Sequence, residues 1–306
     1  MQDSFNGSAE GGSSVSLQQL QYALFTRGIS KTIIAPLDRI KFLLQCDGEL
    51  VRLGKMENRF GGALNCLQRV VGLEGVASLW RGNMIHVASI IPSTLSQVFL
   101  GLPVQKVVFE ALPNSTIFSY TVATFLSGIA AAAATSIITY PFDFVRFRLT
   151  CDVRVHVSMP YDYRHSLAVL SHPAIGDQPT LLYRGLSLYI AGSFLYRALF
   201  LTTLQLAAPY LPTDEAAELS YRAFLTQMIS AYAMVTFSTL WLYPVDTVRR
   251  RMMLSVCQDY LQYPTVMSCV RFILKKEGVG GLYRGAGFTA FRTAVTTSFT
   301  LLGLSI

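Results

Sequence analysis

The chain has 306 residues, 52% of them apolar and only 14% charged, with a formal net charge of +7. A soluble domain carries nearer a quarter charged residues, so this balance, together with a positive mean hydropathy, excludes an ordinary soluble fold and points to a membrane. The basic residues are scattered and no nucleic-acid-binding motif is present, which tells against nucleic acid as a partner and leaves an anionic membrane surface as their simplest target.

Residues 1–16 are polar and rich in Gly and Ser, without the apolar core of a secretory signal or the Arg-rich amphipathic pattern of a transit peptide, and are expected to form a disordered tail. Six apolar stretches follow, at roughly 19–45, 84–110, 118–149, 187–209, 222–253 and 286–306. A helix needs about 20 residues to cross a bilayer, and several stretches are that long. Backbone groups in lipid must be satisfied by a helix or a closed barrel, and runs such as Ala130 to Ile138 lack the alternation of a barrel strand, so six transmembrane helices are expected. Lys31, Gln97, Arg197 and Arg292 interrupt these stretches. A charge at the bilayer centre costs roughly 2.5 to 3.5 kcal/mol, so these residues should face a wet cavity.

One pattern recurs three times, roughly 100 residues apart: PLDRIK from Pro36, PFDFVR from Pro141 and PVDTVR from Pro244. Each proline lies inside an odd-numbered stretch, where it removes a backbone donor and bends the helix. The residues two and five places later are nearly one helical turn apart and share a face. With three such helices in a ring, the carboxylate of one meets the cation of the next, which pairs Asp38 with Arg146, Asp143 with Arg249 and Asp246 with Lys41. Each repeat closes on an aromatic residue, an arginine and a glycine: Trp80-Arg81-Gly82, Tyr183-Arg184-Gly185 and Tyr283-Arg284-Gly285. The chain therefore divides into repeats at 17–112, 113–211 and 212–306.

This double signature resembles the mitochondrial carrier family over nearly the whole chain. The resemblance implies an all-α membrane protein of six transmembrane helices in three pseudo-symmetric repeats around a central cavity, with short helices on the matrix side. It also implies a monomeric solute transporter of the inner mitochondrial membrane, without cofactor or metal. Within the family, SKTIIAPLDRIKFLLQ at Ser30 to Gln45, YPFDFVRFRLTCD at Tyr140 to Asp152, and RRRMML formed by Arg249, Arg250, Arg251, Met252, Met253 and Leu254 are similar to the ADP/ATP carriers. That likeness implies a matrix-side gate of Asp38, Lys41, Asp143, Arg146, Asp246 and Arg249 braced by Gln45, Lys31 and Arg292 as phosphate-binding cations, Arg250 as a further cation, and Gly192 with Tyr196 as a surface for adenine. Polyphosphate calls for several fixed cations, and a purine for a flat aromatic partner. Plain structural roles are the alternatives: Arg292 as a helix-capping cation, Tyr196 as a packing residue, and Met252 and Met253 as helix packing.

The chain also departs from that pattern. Ser89 stands in the second helix where a third phosphate-binding arginine is expected, and Arg27, one turn before Lys31, is a substitute cation. The stretches that would carry a second, cytoplasmic gate, Gly101 to Lys106, Leu204 to Ala208 and Leu302 to Ile306, contain no acid. Cardiolipin is the lipid the family implies, at Gly62, Gly82, Gly185 and Gly285, but the aromatic-x-Gly that is intact at Phe60-Gly61-Gly62 reads Tyr163-Arg164-His165 and Tyr263-Pro264-Thr265 in the later repeats. These departures keep open a carrier of another phosphorylated or anionic metabolite, and a non-transporting scaffold.

The segment after the first helix carries Arg52, Lys55, Arg59, Arg69 and Arg81, and its third equivalent Arg271, Lys275, Lys276 and Arg284, while one connection on the other side holds Asp214, Glu215 and Glu218. In the inner mitochondrial membrane the basic segments face the matrix and both termini the intermembrane space. The five cysteines form no CxxC and are expected to be reduced thiols, the four histidines show no ligand spacing and are expected in loops or walls, and neither GxSxG nor HExxH occurs, so no enzyme is expected.

Overall fold

A computed structural model of the protein describes residues 17–113, 117–156, 160–207, 221–256 and 263–301, and among these the regular structure is helical with no strand. The tail expected at 1–16, the acidic connection at 214–218 and the Leu302 to Ile306 stretch lie outside the described residues. In chain order the helices are α1 (Leu17–Arg52), α2 (Ala63–Glu74), α3 (Asn83–Ala88), α4 (Ile90–Ser96), α5 (Leu102–Ala111), α6 (Ile117–Thr150), α7 (Ser166–Leu170), α8 (Pro173–Asp177), α9 (Leu186–Ala207), α10 (Tyr221–Leu254), α11 (Val266–Glu277) and α12 (Ala286–Leu301).

Four helical segments, Val76–Ala111, Ser119–Thr150, Pro179–Leu206 and Leu225–Leu254, are long and apolar enough to cross a membrane. The remaining two legs of the ring are α1, whose length is ample but whose gate residues make it more polar, and α12. Neighbours touch in the order α1, α3 to α5, α6, α9, α10, α12 and back to α1, which closes a six-legged ring, and α1, α6 and α10 also touch one another. Large apolar side chains such as Met84, Phe99, Trp241 and Leu206 point outward at 84%, 75%, 63% and 70% exposure, a surface suited to lipid and not to water.

In two of the three repeats the closing aromatic accommodates the proline. Pro36 and Pro141 lie inside α1 and α6, where each deprives the carbonyl four residues earlier of its donor. The Trp80 indole Nε1 donates to the freed Thr32 carbonyl at 2.9 Å, and the Tyr183 hydroxyl donates to the freed Ile137 carbonyl at 3.1 Å. In the third repeat Tyr283 stacks instead on Tyr243, whose hydroxyl donates to the Arg284 carbonyl at 2.8 Å. A different device serves the second leg. Pro103 opens the first turn of α5, and the backbone before it, Gln97–Gly101, widens into a π turn.

The arginine of each closing motif reaches into the next repeat. Arg81 donates to Asp152 and to the Tyr163 carbonyl, Arg284 to Asp47 and to the Phe60 carbonyl, and Arg184 to the Tyr263 carbonyl. The position equivalent to Asp47 and Asp152 in the third repeat is Ser255, so the Arg184 seam has no carboxylate there. The following glycines turn with φ of 83°, 86° and 82° at Gly82, Gly185 and Gly285, and each lies against the next long helix. A Cβ on Gly82 would sit 2.6 Å from the Thr150 hydroxyl and 3.1 Å from the Arg146 carbonyl, so both the turn and the close approach require glycine.

The largest apolar core, including Phe42, Leu43, Phe144, Phe147, Leu149 and Met253, fills this same end of the ring, beside the short helices. The short helices are tied to it by buried ion pairs, Arg39 with Glu74 at 2.6 Å and Arg251 with Glu277 at 2.5 Å. Burial raises the Glu277 carboxyl, but the Arg251 hydrogen bonds and charge outweigh it and hold the group below its ordinary value. Burial pushes the Cys66 and Cys269 thiols up to about 12, which keeps them protonated and unreactive.

Candidate functional site

The proline-containing helices α1, α6 and α10 touch one another, and they carry Asp38, Lys41, Asp143, Arg146, Asp246 and Arg249. Asp38 is 4% exposed and bonded on one oxygen to Arg146 and on the other to Arg292. Asp246 lies 3.7 Å from the Lys41 ammonium, 3.2 Å from Arg249 and 2.9 Å from Arg250. Gln45 donates to Asp246 at 3.2 Å and to the Thr247 hydroxyl at 3.0 Å, bridging α1 to α10.

Two of the three expected pairs are thus made, and the third is not. Asp143 forms no ion pair within 4 Å among the described residues, and Arg249 turns back to Asp246 on its own helix. Asp246 draws three cations because Arg249 and Arg250 lie three and four residues along the same helix, at the spacing that brings side chains together. Arg249 also lies over the Tyr189 ring, 5.0 Å from its centroid.

A cavity of about 930 Å³ lies on this ring. Its floor is Lys41, Asp246 and Arg249, and its walls rise along α6 and α9 through Tyr189, Gly192, Tyr196 and Arg197 to Tyr120 and Leu201. Gly192 and Tyr196 both line it, with Tyr196 stacked on Phe200 at 6.2 Å and 11° between planes. Arg197 faces Gly128, where a Cβ would fall 1.9 Å from a guanidinium nitrogen, so the missing side chain makes room for the arginine.

Of the other expected binding residues, Lys31 is half-buried and donates to the His86 carbonyl at 3.2 Å. Arg27 is exposed one turn away. Arg292 is bound to Asp38, which makes it part of the ring as well as a candidate ligand cation. Arg250 does not project freely: its side chain is 11% exposed, bonded to Asp246 and packed over the Phe42 ring at 4.1 Å. Arg251, Met252, Met253 and Leu254 are buried and serve packing and the Glu277 pair. Ser89 bonds its own helix, donating to the His86 carbonyl at 2.8 Å. At the opposite end, Lys106 lies 3.9 Å from Glu110 on its own helix.

His86, expected in a loop or wall, lies in the ring with Nε2 2.8 Å from the Arg146 guanidinium. The signal was in the repeat register: four residues after the closing glycines stand His86, Tyr189 and Thr289, and Tyr189 packs on the equivalent cation Arg249. Among the described residues no group of His, Cys, Asp and Glu is placed to hold a metal ion.

A family model described as mitochondrial carrier protein matches residues 13–109, 119–215 and 221–305. The ADP/ATP translocase of Thermothelomyces thermophilus is 30% identical, over 86% of this chain and 82% of its own length. ADP,ATP carrier protein 1 of Saccharomyces cerevisiae is 29% identical over 86% and 84% of the two chains, and ADP,ATP carrier protein ER-ANT1 of Arabidopsis thaliana 30% over 84% and 83%.

Proposed function

We propose that this chain, which belongs to the mitochondrial carrier family, exchanges adenine nucleotides, ADP against ATP, across the inner mitochondrial membrane by alternating access. The observation that carries the reading is the pairing of a cavity with a charged floor: an aromatic and glycine wall at Gly192 and Tyr196 stands above Lys41, Asp246 and Arg249. Lys31 and Arg292, at the two ends of the contacts around Asp38 and Arg146, receive the phosphates, and the purine lies along Tyr196. Binding transfers Arg292 from Asp38 to phosphate, weakens the ring and lets the matrix side open. The protein works as a monomer with both termini in the intermembrane space, and cardiolipin seats at the seams marked by Gly62, Gly82, Gly185 and Gly285.

A second reading is favoured by one residue. Ser89 removes a cation from the expected set and directs its hydroxyl to its own helix, which suits a phosphorylated solute with fewer charges than ATP. Thermal unfolding of the purified protein against a panel of solutes separates the two, because a ligand of the folded state raises the transition temperature with concentration. ADP and ATP should stabilise while dicarboxylates and inorganic phosphate do not. Stabilisation by a phosphorylated sugar or monophosphate, without response to ADP or ATP, would replace the first reading by the second.

A further inference from the structure

Five residues at the gate form one continuous chain of contacts, in which His86 takes part through both its main-chain carbonyl and its ring. Lys31 donates to the His86 carbonyl at 3.2 Å, the His86 ring meets Arg146 at 2.8 Å, Arg146 bonds Asp38, and Asp38 bonds Arg292. Its two ends are the cations assigned above to substrate phosphate, and its middle is the ion pair that joins α1 to α6. We propose that His86 is the positioning residue of this gate, coupling occupation of Lys31 and Arg292 to release of Arg146 from Asp38; the substrate half of this inference rests on the phosphate-binding reading of those two cations.

The chemistry fixes the state of the ring. A guanidinium only donates hydrogen bonds, so His86 Nε2 is an unprotonated acceptor and the ring proton sits on Nδ1. Nδ1 is buried and has no partner, so the ring gives up one hydrogen bond in order to hold Arg146. The His86 carbonyl accepts from Lys31 and also from Ser89, which lies just beyond the last residue of α3. Ser89, in the place of an expected arginine, therefore helps to hold the relay residue instead of contacting substrate. A polyphosphate that takes Lys31 and Arg292 removes a partner from both ends at once: the His86 carbonyl loses Lys31, Asp38 loses Arg292, and Arg146 is left held by His86, the Phe42 ring and a half-satisfied carboxylate. Coupling through a contiguous hydrogen-bonded network of this kind has a physical carrier that mutation can cut.

The test compares His86→Leu, which removes the acceptor, with His86→Gln, whose amide oxygen keeps one. In proteoliposomes, His86→Leu should lower ADP turnover about tenfold, the share expected of one hydrogen bond to a charged group, while the ADP Kd measured in detergent stays within about twofold. His86→Gln should recover most of the turnover. Packing alone predicts no such order, with Leu tolerated at least as well as Gln, and that result would overturn the proposal. A second arm needs no substrate. The ligand-free transition temperature should fall in His86→Leu, but not fall further when the same change is made in Asp38→Asn, since both cut one network. Additive losses would overturn the coupling even for a protein that binds no nucleotide, whereas failure of wild type to bind ADP with a non-additive cycle intact would reject the nucleotide reading alone.

Discussion

Asp38 and Asp143 occupy the same motif position, yet only Asp38 is enclosed by two guanidinium groups. In Asp38→Asn, Arg146 and Arg292 lose their shared counter-charge and face each other. Deleting one partner of a buried ion pair costs about 3 to 5 kcal/mol. The side chains of Arg146 and Arg292 are 17% and 24% exposed, so water screens part of the loss and the lower end, about 3 kcal/mol, applies. Falling on the gate-closed state alone, that is roughly a hundredfold shift toward the open gate. The assays are the transition temperature in detergent and nucleotide exchange in proteoliposomes. Asp38→Asn should lower the transition temperature by several degrees and exchange by tenfold or more, and Asp143→Asn should lower the transition temperature by less than a third as much. Equal destabilisation by the two substitutions, or an unchanged Asp38→Asn protein, would refute the assignment of the gate to Asp38.

Three further outcomes are expected. Ser89→Arg places a cation where the ADP/ATP carrier pattern has one and should lower the KM for ADP several-fold, read from initial uptake rates. Trp80→Phe removes the donor to the Thr32 carbonyl but keeps the aromatic packing, and should cost about 1 kcal/mol in denaturant unfolding. Glu277 has a folded-state pKa held below its ordinary value, so its contribution to stability is complete above the ordinary carboxylate range and is lost as pH falls through the folded value. Transition temperatures measured from pH 7 down to pH 3 should therefore fall less steeply for Glu277→Gln than for wild type.

The helices were legible because bilayer thermodynamics leaves few alternatives to a long apolar run, and the repeats because one pattern recurs at even spacing. Register along a single helix placed Asp38 with Arg146 and Asp246 with Lys41, since spacing puts those groups on one face of each of three helices that meet. The Asp143 pairing failed where spacing could not rank competing partners: Arg249 has Asp246 on its own helix, and nothing local in the sequence decides between the two carboxylates. Arg250 was expected as a further cation at the site, and the rings of Phe42 and Phe147 and the Asp246 carboxylate enclose it. His86 was illegible as a lone histidine and becomes legible beside Tyr189 and Thr289, at one position of the three repeats. The donors to the proline-freed carbonyls are likewise long-range contacts, between Trp80 and Thr32 and between Tyr183 and Ile137, which no window along the chain contains.

The most direct test of the account is uptake of labelled ADP into liposomes that contain the purified protein, with and without ATP inside. Uptake that requires internal ATP, and that falls at least tenfold in Asp38→Asn, is the predicted result. Uptake independent of internal nucleotide, or none from folded wild-type protein that is stabilised by ADP, would contradict an exchanger gated at Asp38.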